Sequence, residues 1–150
     1  MGNPHAVIFI DDPAASLREL AETFGPKIEV DPLFPRRTNV EFARLRTNAA
    51  GSPEIDCVVW ERGVGITLAC GTGACATAVA AALEGRWSGD GEIPINLLGG
   101  TLTISLERDQ GPGATYAGVT MRGPAAQVFE AEVDTGELLT QLTQRAARIK

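Results

Sequence analysis

The residues best suited to chemistry lie in one stretch, WERGVGITLACGTGACATAVAAAL, from Trp60 to Leu83. It holds an adjacent acid and base, Glu61 and Arg62, and a cysteine, Cys70, that precedes a glycine-rich segment. The alternating apolar residues before Cys70 predict a strand that ends there, and the small residues from Ala74 onward predict a helix. Cys70 is therefore expected at a helix N-terminus.

A helix N-terminus changes what a cysteine can do. The first backbone N–H groups lack partners within the helix, and the helix dipole adds roughly half a positive charge there. Both effects stabilise a thiolate or a bound carboxylate, so Cys70 can act as a base or nucleophile. The glycines of the turn predicted at residues 71–73 also allow a ligand to approach the backbone closely. We predict a functional Cys70; the alternative is a small buried hydrophobic residue.

The other two cysteines have different surroundings. Cys57 lies in an apolar strand, and Cys75 lies among alanines inside the predicted helix, so both are expected to pack in the core. Three cysteines cannot all pair internally, and their spacing matches no two-pair zinc pattern. Neither a metal site nor a disulfide framework is expected.

The composition indicates a soluble globular protein. The 150 residues are 44% hydrophobic but only 5% aromatic, which suits a core of small aliphatic side chains. The net charge of -6 argues against nucleic acid as the main partner. No apolar run is long enough to span a membrane, and the N-terminus shows no leader pattern. The cytoplasm is therefore the expected location.

The order of the predicted elements gives an α+β fold. A helix is predicted over residues 16–24, where apolar residues recur at helical spacing, and Gly25-Pro26 should end it. Alanines surround the helix that follows Cys70 on most faces, so the sheet should wrap closely around it. The predicted strands cover residues 6–10, 40–45, 55–60, 64–68, 93–97, 102–106, 116–121 and 126–133.

The end of the chain is predicted to be a separate amphipathic helix. Asp134 and Glu137 have the spacing of a capping box, and leucines follow at helical intervals. We therefore divide the chain into one domain, residues 1–133, and a terminal helix, residues 134–150.

Three polar side chains stand near the starts of predicted strands. Pro4 holds Asn3 in an extended or turn conformation, from which its amide could be directed at a ligand. On residue type alone, His5 is interpreted as a hydrogen-bonded structural residue and Asn39 as a turn residue.

Four separated motifs, however, resemble one family. They are GNPHAV (2–7), FPRRTNVEF (34–42), ERGVGITLACGTGACA (61–76) and the GG-L-I and M-GP-VF spacing of residues 99–129. Together they resemble the second half of the diaminopimelate epimerase family, over the chain up to about Val133. The resemblance implies two similar α/β halves, each with a sheet around a central helix, and catalysis without a cofactor.

The resemblance also implies roles for individual residues. In this family two cysteines, one from each half, face each other across the substrate α-carbon, and Cys70 matches one of them. His5 and Glu61 match groups that tune the cysteines, which replaces the structural interpretation of His5. Gly71 and Thr72 would offer backbone N–H groups to the carboxylate at the reacting centre. The positions that match binding sites for the distal amino and carboxyl groups are Asn3, Asn39, Glu61 and Arg62.

The resemblance implies that the substrate is diaminopimelate, whose LL and meso forms are interconverted for lysine and cell-wall precursor synthesis. The first half, with its own cysteine, is not part of this sequence, and neither Cys57 nor Cys75 has the context to replace it. We therefore expect no turnover by the chain alone, and a first half in the same or another chain as its partner.

Several alternatives stay open from the sequence. One is a proline racemase-like or other amino-acid epimerase. The residues that match binding positions for a second amino-acid head group count against this alternative. Another is a non-catalytic half that binds a ligand or a partner protein. A homodimer also stays open.

Overall fold

The computed structural model describes residues 2–87, 91–109 and 116–147, in which seven strands form one mixed sheet. The strands are β1 (His5–Phe9), β2 (Asn39–Thr47), β3 (Pro53–Glu61), β4 (Gly65–Ile66), β5 (Glu92–Leu97), β6 (Gly100–Arg108) and β7 (Tyr116–Arg122). Their order is β1-β2-β3-β5-β6-β7, with β4 paired to β3. The β1–β2 and β3–β5 pairs are parallel, and the other pairs are antiparallel.

Three helices accompany the sheet in the described residues: α1 (Leu17–Glu29), α2 (Gly71–Leu83) and α3 (Thr135–Ala147). Helix α2 contacts β1, β2, β3, β5, β6 and β7, whereas α1 packs against β2, β3 and β4. The sheet therefore curls around α2 and carries α1 on its outer face. This confirms the α+β fold and the prediction that the sheet wraps the small-residue helix.

The alternation of side chains along the strands divides the apolar residues into two cores. On β2, Ala43 packs in the inner core between the sheet and α2, and Phe42 packs in the outer core under α1. The inner core includes Ala74, Ala78 and Ala81 of α2, whose small side chains allow the strands to approach the helix closely. Both faces of β2 are therefore covered.

The predicted end of the first helix at residue 24 is wrong, because α1 continues through Pro26 to Glu29. Gly25 is buried against Trp60: a Cβ at this position would lie 2.6 Å from Trp60 Cγ. The glycine is thus required by packing rather than by helix termination. Packing of Ile28 against the outer core holds the last turn in place.

Two boundaries near Cys70 also differ from the prediction. The turn expected at residues 71–73 is already the first turn of α2. The strand expected at residues 64–68 is reduced to β4, a two-residue strand that pairs with the end of β3. Val64 and Leu68 on either side are 73% and 70% exposed, so their apolar alternation does not reflect burial.

The strand predicted for residues 126–133 is wrong, because residues 123–134 have no regular secondary structure. A strand requires a neighbouring strand to satisfy its backbone groups, and within the described residues the strand order ends at β7. Val128 and Phe129 are consequently 86% and 79% exposed.

The terminal helix has one half of the predicted capping box, the part formed by Asp134. Asp134 Oδ1 accepts hydrogen bonds from the backbone N–H groups of Gly136 and Glu137. The last predicted residues, 148–150, lie outside the described part of the chain. Within that part, no helix combines the length and apolar character needed to cross a membrane.

Candidate active site

Cys70 is the N-cap of α2, as the sequence predicted. Its backbone is extended, with φ -131° and ψ 105°, and its side chain is buried. The Sγ atom accepts a hydrogen bond from the Gly73 backbone N–H at 3.4 Å and lies 3.6 Å from Thr72 Oγ1. The thiol therefore takes the place of the side-chain oxygen that usually caps a helix.

The start of β1 lies beside this helix terminus. Asn3 Nδ2 donates to Thr72 Oγ1 at 3.1 Å, which links two predicted site residues that are 69 positions apart. The Pro4 carbonyl in turn accepts the backbone N–H of Asn39 at 3.1 Å. The fold thus brings Asn3, Thr72 and Cys70 together, and it places Asn39 next to the same strand.

Asn39, Glu61 and Arg62 form a second group at the end of β3. Asn39 Oδ1 accepts the Arg62 backbone N–H at 2.8 Å, so the buried amide fixes the turn that follows β3. Glu61 Oε1 accepts the Thr67 hydroxyl at 2.6 Å. The Arg62 guanidinium donates to the Arg36 carbonyl at 2.7 Å. Each of these side chains is held by a defined partner.

The sequence interpretation missed Glu29, which lies at the end of α1 and also holds the turn that follows β3. Glu29 Oε2 accepts the Trp60 indole N–H at 2.8 Å, and Oε1 accepts the Gly63 backbone N–H at 3.0 Å. Arg37 also donates to this carboxylate at 3.4 Å. The hydrogen bond from Trp60, with those from Gly63 and Arg37, holds the pKa of Glu29 below its usual value despite burial. Its signal was hidden because the helix was predicted to end before it.

The second missed residue is Glu41. The alternation of β2 predicts a half-exposed strand with Glu41 on the solvent side, but α2 covers that side and Glu41 is 0% exposed. Its Oε1 lies 2.7 Å from Nδ1 of His5, on the neighbouring strand. Burial raises the pKa of the Glu41 carboxyl and the charge of Glu61 raises it further, whereas the hydrogen bond with His5 opposes both.

Glycine at position 73 makes room for these groups. A Cβ at Gly73 would lie 2.8 Å from Glu41 Oε1 and 3.3 Å from Cys70 Sγ. The Cys70 thiol and the Glu41 carboxyl therefore both pack against Gly73 in the first turn of α2. Any larger residue would displace one of them.

The other cysteines are packing residues, as predicted. Cys57 is buried in the inner core, and burial raises the pKa of its thiol to about 12. Cys75 is half-buried against the same core, and burial raises its pKa as well. A proton is thus hard to remove from either thiol. Among the residues that the structure describes, no three His, Cys, Asp or Glu side chains are grouped so as to hold a metal ion.

The family comparison agrees with the motifs around Cys70. The family model of diaminopimelate epimerase matches residues 1–128 of the 150. The chain belongs to the diaminopimelate epimerase family. The match ends before α3, which begins at residue 135.

Individual family members are similar over most of this chain. The diaminopimelate epimerase of Erythrobacter litoralis is 45% identical over 140 residues, which cover 91% of this chain and 45% of that protein. The diaminopimelate epimerase of Acidiphilium cryptum is 47% identical over 140 residues, which cover 92% of this chain and 44% of that protein. That of Bacteroides thetaiotaomicron is 47% identical over 135 residues, with 89% and 45% covered. The chain spans less than half the length of these curated relatives.

A solved structure is also similar. It is the phenazine biosynthesis protein of the PhzF family from Bacillus anthracis, with a TM-score of 0.48 and 18% sequence identity. The similarity covers 73% of this chain and 32% of that protein.

Proposed function

We propose that this chain forms the second half of a cofactor-independent diaminopimelate epimerase, in which Cys70 exchanges the α-proton on one face of the substrate. The observation that carries the proposal is the position of Cys70 as the N-cap of α2, where its sulfur accepts a backbone N–H. A donor to sulfur and the positive end of a helix dipole are features of the sites of reactive cysteines. His5 and Glu61 would tune this thiol, as the family resemblance implies.

The reaction requires two such groups. Removal of an α-proton without a cofactor produces a poorly stabilised carbanion, so the site must hold the substrate carboxylate with oriented dipoles and exclude water. Inversion requires a base on one face and an acid on the other. A thiolate and a thiol can exchange these roles for the two stereoisomers.

Helix α2 provides the dipoles for the carboxylate. The N–H of Gly73 bonds to the Cys70 sulfur, and that of Ala74 bonds to the Cys70 carbonyl. The first two N–H groups of the helix, those of Gly71 and Thr72, are therefore the ones that we assign to the carboxylate at the reacting centre.

The distal end of the substrate would bind along β1 and the turn after β3. We assign Asn3, Asn39, Glu61 and Arg62 to its amino and carboxyl groups. The bond from Asn3 to Thr72 and the backbone bond from Asn39 to Pro4 support this assignment, because they connect Asn39 through the start of β1 to the helix terminus. The carboxylate of Glu61 suits an ammonium, and Arg62 suits a carboxylate.

The second cysteine would come from a first half of the enzyme, in the same polypeptide or another one. The burial of Cys57 and Cys75 supports this part of the proposal, since neither thiol suits proton exchange. It follows that the chain alone should not turn over substrate. A cytoplasmic location, expected from the sequence, belongs to the same proposal, and a homodimer stays open.

The test is exchange of the substrate α-hydrogen in deuterated water. LL-diaminopimelate is incubated with the chain alone and with the first half of the Erythrobacter litoralis relative, and α-deuterium is followed by mass spectrometry. We expect exchange only in the mixture. Folded proteins that bind each other but catalyse no exchange would contradict the proposal.

Two alternatives give different results. A non-catalytic binding half is favoured by the exposed apolar residues Leu68 and Phe129, and it would bind diaminopimelate or a partner without exchange in any mixture. A proline racemase-like enzyme would exchange proline rather than diaminopimelate. The family match over residues 1–128 favours diaminopimelate.

A further inference from the structure

His5 and Glu41 form a buried pair whose outer atoms lack partners. Nδ1 of His5 lies 2.7 Å from Glu41 Oε1, and the two side chains are 5% and 0% exposed. Within the described residues, the remaining atoms, His5 Nε2 and Glu41 Oε2, have no hydrogen-bond partner. Buried polar atoms are normally satisfied, so this pair requires an explanation beyond packing.

The short contact determines where the protons are. Two atoms that both carry only lone pairs would repel at this distance, so one proton must lie between Nδ1 and Oε1. This holds whether the pair is an imidazolium with a carboxylate or an imidazole with a carboxylic acid. In both forms the other ring proton is on Nε2. The pair can therefore lose a proton to the site only through Nε2.

The surroundings favour keeping the pair electrically neutral. Apart from His5, the titratable groups that face Glu41 among the described residues are acids: Cys57 and Glu61 on β3, and Cys70 at the start of α2. An unpaired carboxylate here would be buried and would oppose a thiolate at Cys70. The proton shared with His5 removes that repulsion.

His5 also lines an open cleft of about 340 Å³ between β1 and α2. Asn3, which is bonded to Thr72 at the helix terminus, lines the same cleft. The ring of His5 therefore borders a space that a ligand can occupy, and its Nε2 is buried at that border.

We propose that Glu41 is a positioning residue that fixes one proton between its carboxyl and His5 Nδ1, so that Nε2 is the atom through which His5 gives or takes a proton. The inference rests on the proposed function for its use in catalysis. The position of the ring proton of His5 does not depend on the proposed function and can be measured on the chain alone.

The first test is the tautomer of the neutral ring. His5 is the single histidine of the chain, so nitrogen-15 NMR gives one unambiguous set of ring signals. At alkaline pH we expect a protonated Nδ1 and a bare Nε2. In Glu41→Gln the carboxamide can donate to Nδ1 or accept from it, so the proton should no longer be confined to Nδ1. If the neutral wild-type ring still carries its proton on Nε2 at alkaline pH, after the pair has released one proton, the inference is overturned, even if the variant fails to fold.

The matched control is Glu54→Gln. Glu54 is also a buried glutamate, but it pairs with Arg46 between β2 and β3, at the other end of these strands. Its replacement should leave the His5 ring signals as in the wild type. An equal change in both variants would overturn the inference.

The second test uses the complete enzyme, formed with a first half. We expect Glu41→Gln to lower the rate of α-deuterium exchange by roughly 10- to 100-fold and to change its pH profile, and Glu54→Gln to do neither. Equal rates and profiles in the two variants would overturn the inference. If the wild type itself catalyses no exchange, the proposed function fails, while the ring tautomer still decides the role of Glu41.

Discussion

Two buried glutamates on opposite faces of the sheet show how differently the same side chain can be used. Glu29, at the end of α1, accepts hydrogen bonds from Trp60, Gly63 and Arg37, and these lower its pKa. Glu41, beside α2, bonds to His5, while its second oxygen lacks a partner in the described residues and burial raises its pKa. A satisfied carboxylate holds a turn in place, whereas an incompletely satisfied one remains available for proton chemistry.

Replacing Gly73 by alanine should displace the Glu41 carboxyl or the Cys70 thiol. The added Cβ would meet Glu41 Oε1 at 2.8 Å and Cys70 Sγ at 3.3 Å. We expect exchange by the completed enzyme to fall by about 100-fold, because small displacements of catalytic groups cost that much. Deuterium incorporation measures the effect. Gly85→Ala lies outside the site, and its positive φ of 68° strains alanine, so it shows what a loss of stability alone does to activity. Equal activity of the two variants would contradict this account.

Replacing Glu29 by glutamine should instead act on stability. The variant loses charge-assisted hydrogen bonds in a buried position, which typically contribute about 1.5–3 kcal/mol each. We expect the free energy of unfolding in urea to fall by roughly 3 kcal/mol. The exposed Glu22→Gln, which loses only a surface ion pair with Arg18, should change it by less than about 0.5 kcal/mol. Similar losses in both variants would refute the role given to Glu29.

Gly25→Ala tests the hydrogen bond between Trp60 and Glu29 by a change in α1. A Cβ would lie 2.6 Å from Trp60 Cγ, so the indole must move away from Glu29. We expect a loss of about 1–3 kcal/mol in the free energy of unfolding, as is usual for an overpacked core. A stability equal to the wild type would mean that Trp60 is not held against α1 as described.

The two glutamates should also give opposite pH dependences of stability. The pKa of Glu29 is lowered on folding, so its contribution is present above the ordinary value of 4.5 and is lost as pH falls through the folded value. The pKa of Glu41 is raised, so its contribution is present below 4.5 and is lost as pH rises through the folded value. The free energies of unfolding of the wild type, Glu29→Gln and Glu41→Gln are measured across acidic pH. The wild-type value minus the variant value should rise with pH for Glu29 and fall with pH for Glu41. Slopes of the same sign for these two differences would contradict the comparison.

The sequence predicts some parts of this molecule better than others. The helix cap at Cys70 and the close packing of the sheet around α2 were predictable, because glycines and small helix formers act locally. The burial of Glu41 and the continuation of α1 to Glu29 depend on which elements cover them, and that is decided by the whole fold. The exposed segment with Val128 and Phe129 illustrates the same limit, since alternation favours a strand but provides no neighbour to pair with.

The most direct test of the central claim compares cysteine variants in the exchange assay. With a first half present, Cys70→Ser should abolish α-deuterium incorporation into diaminopimelate, because a hydroxyl is far harder to ionise than a thiol at neutral pH. Cys75→Ser, a packing position on the same helix, should retain exchange and lose mainly stability. Exchange that survives in Cys70→Ser but disappears in folded Cys75→Ser would contradict the account.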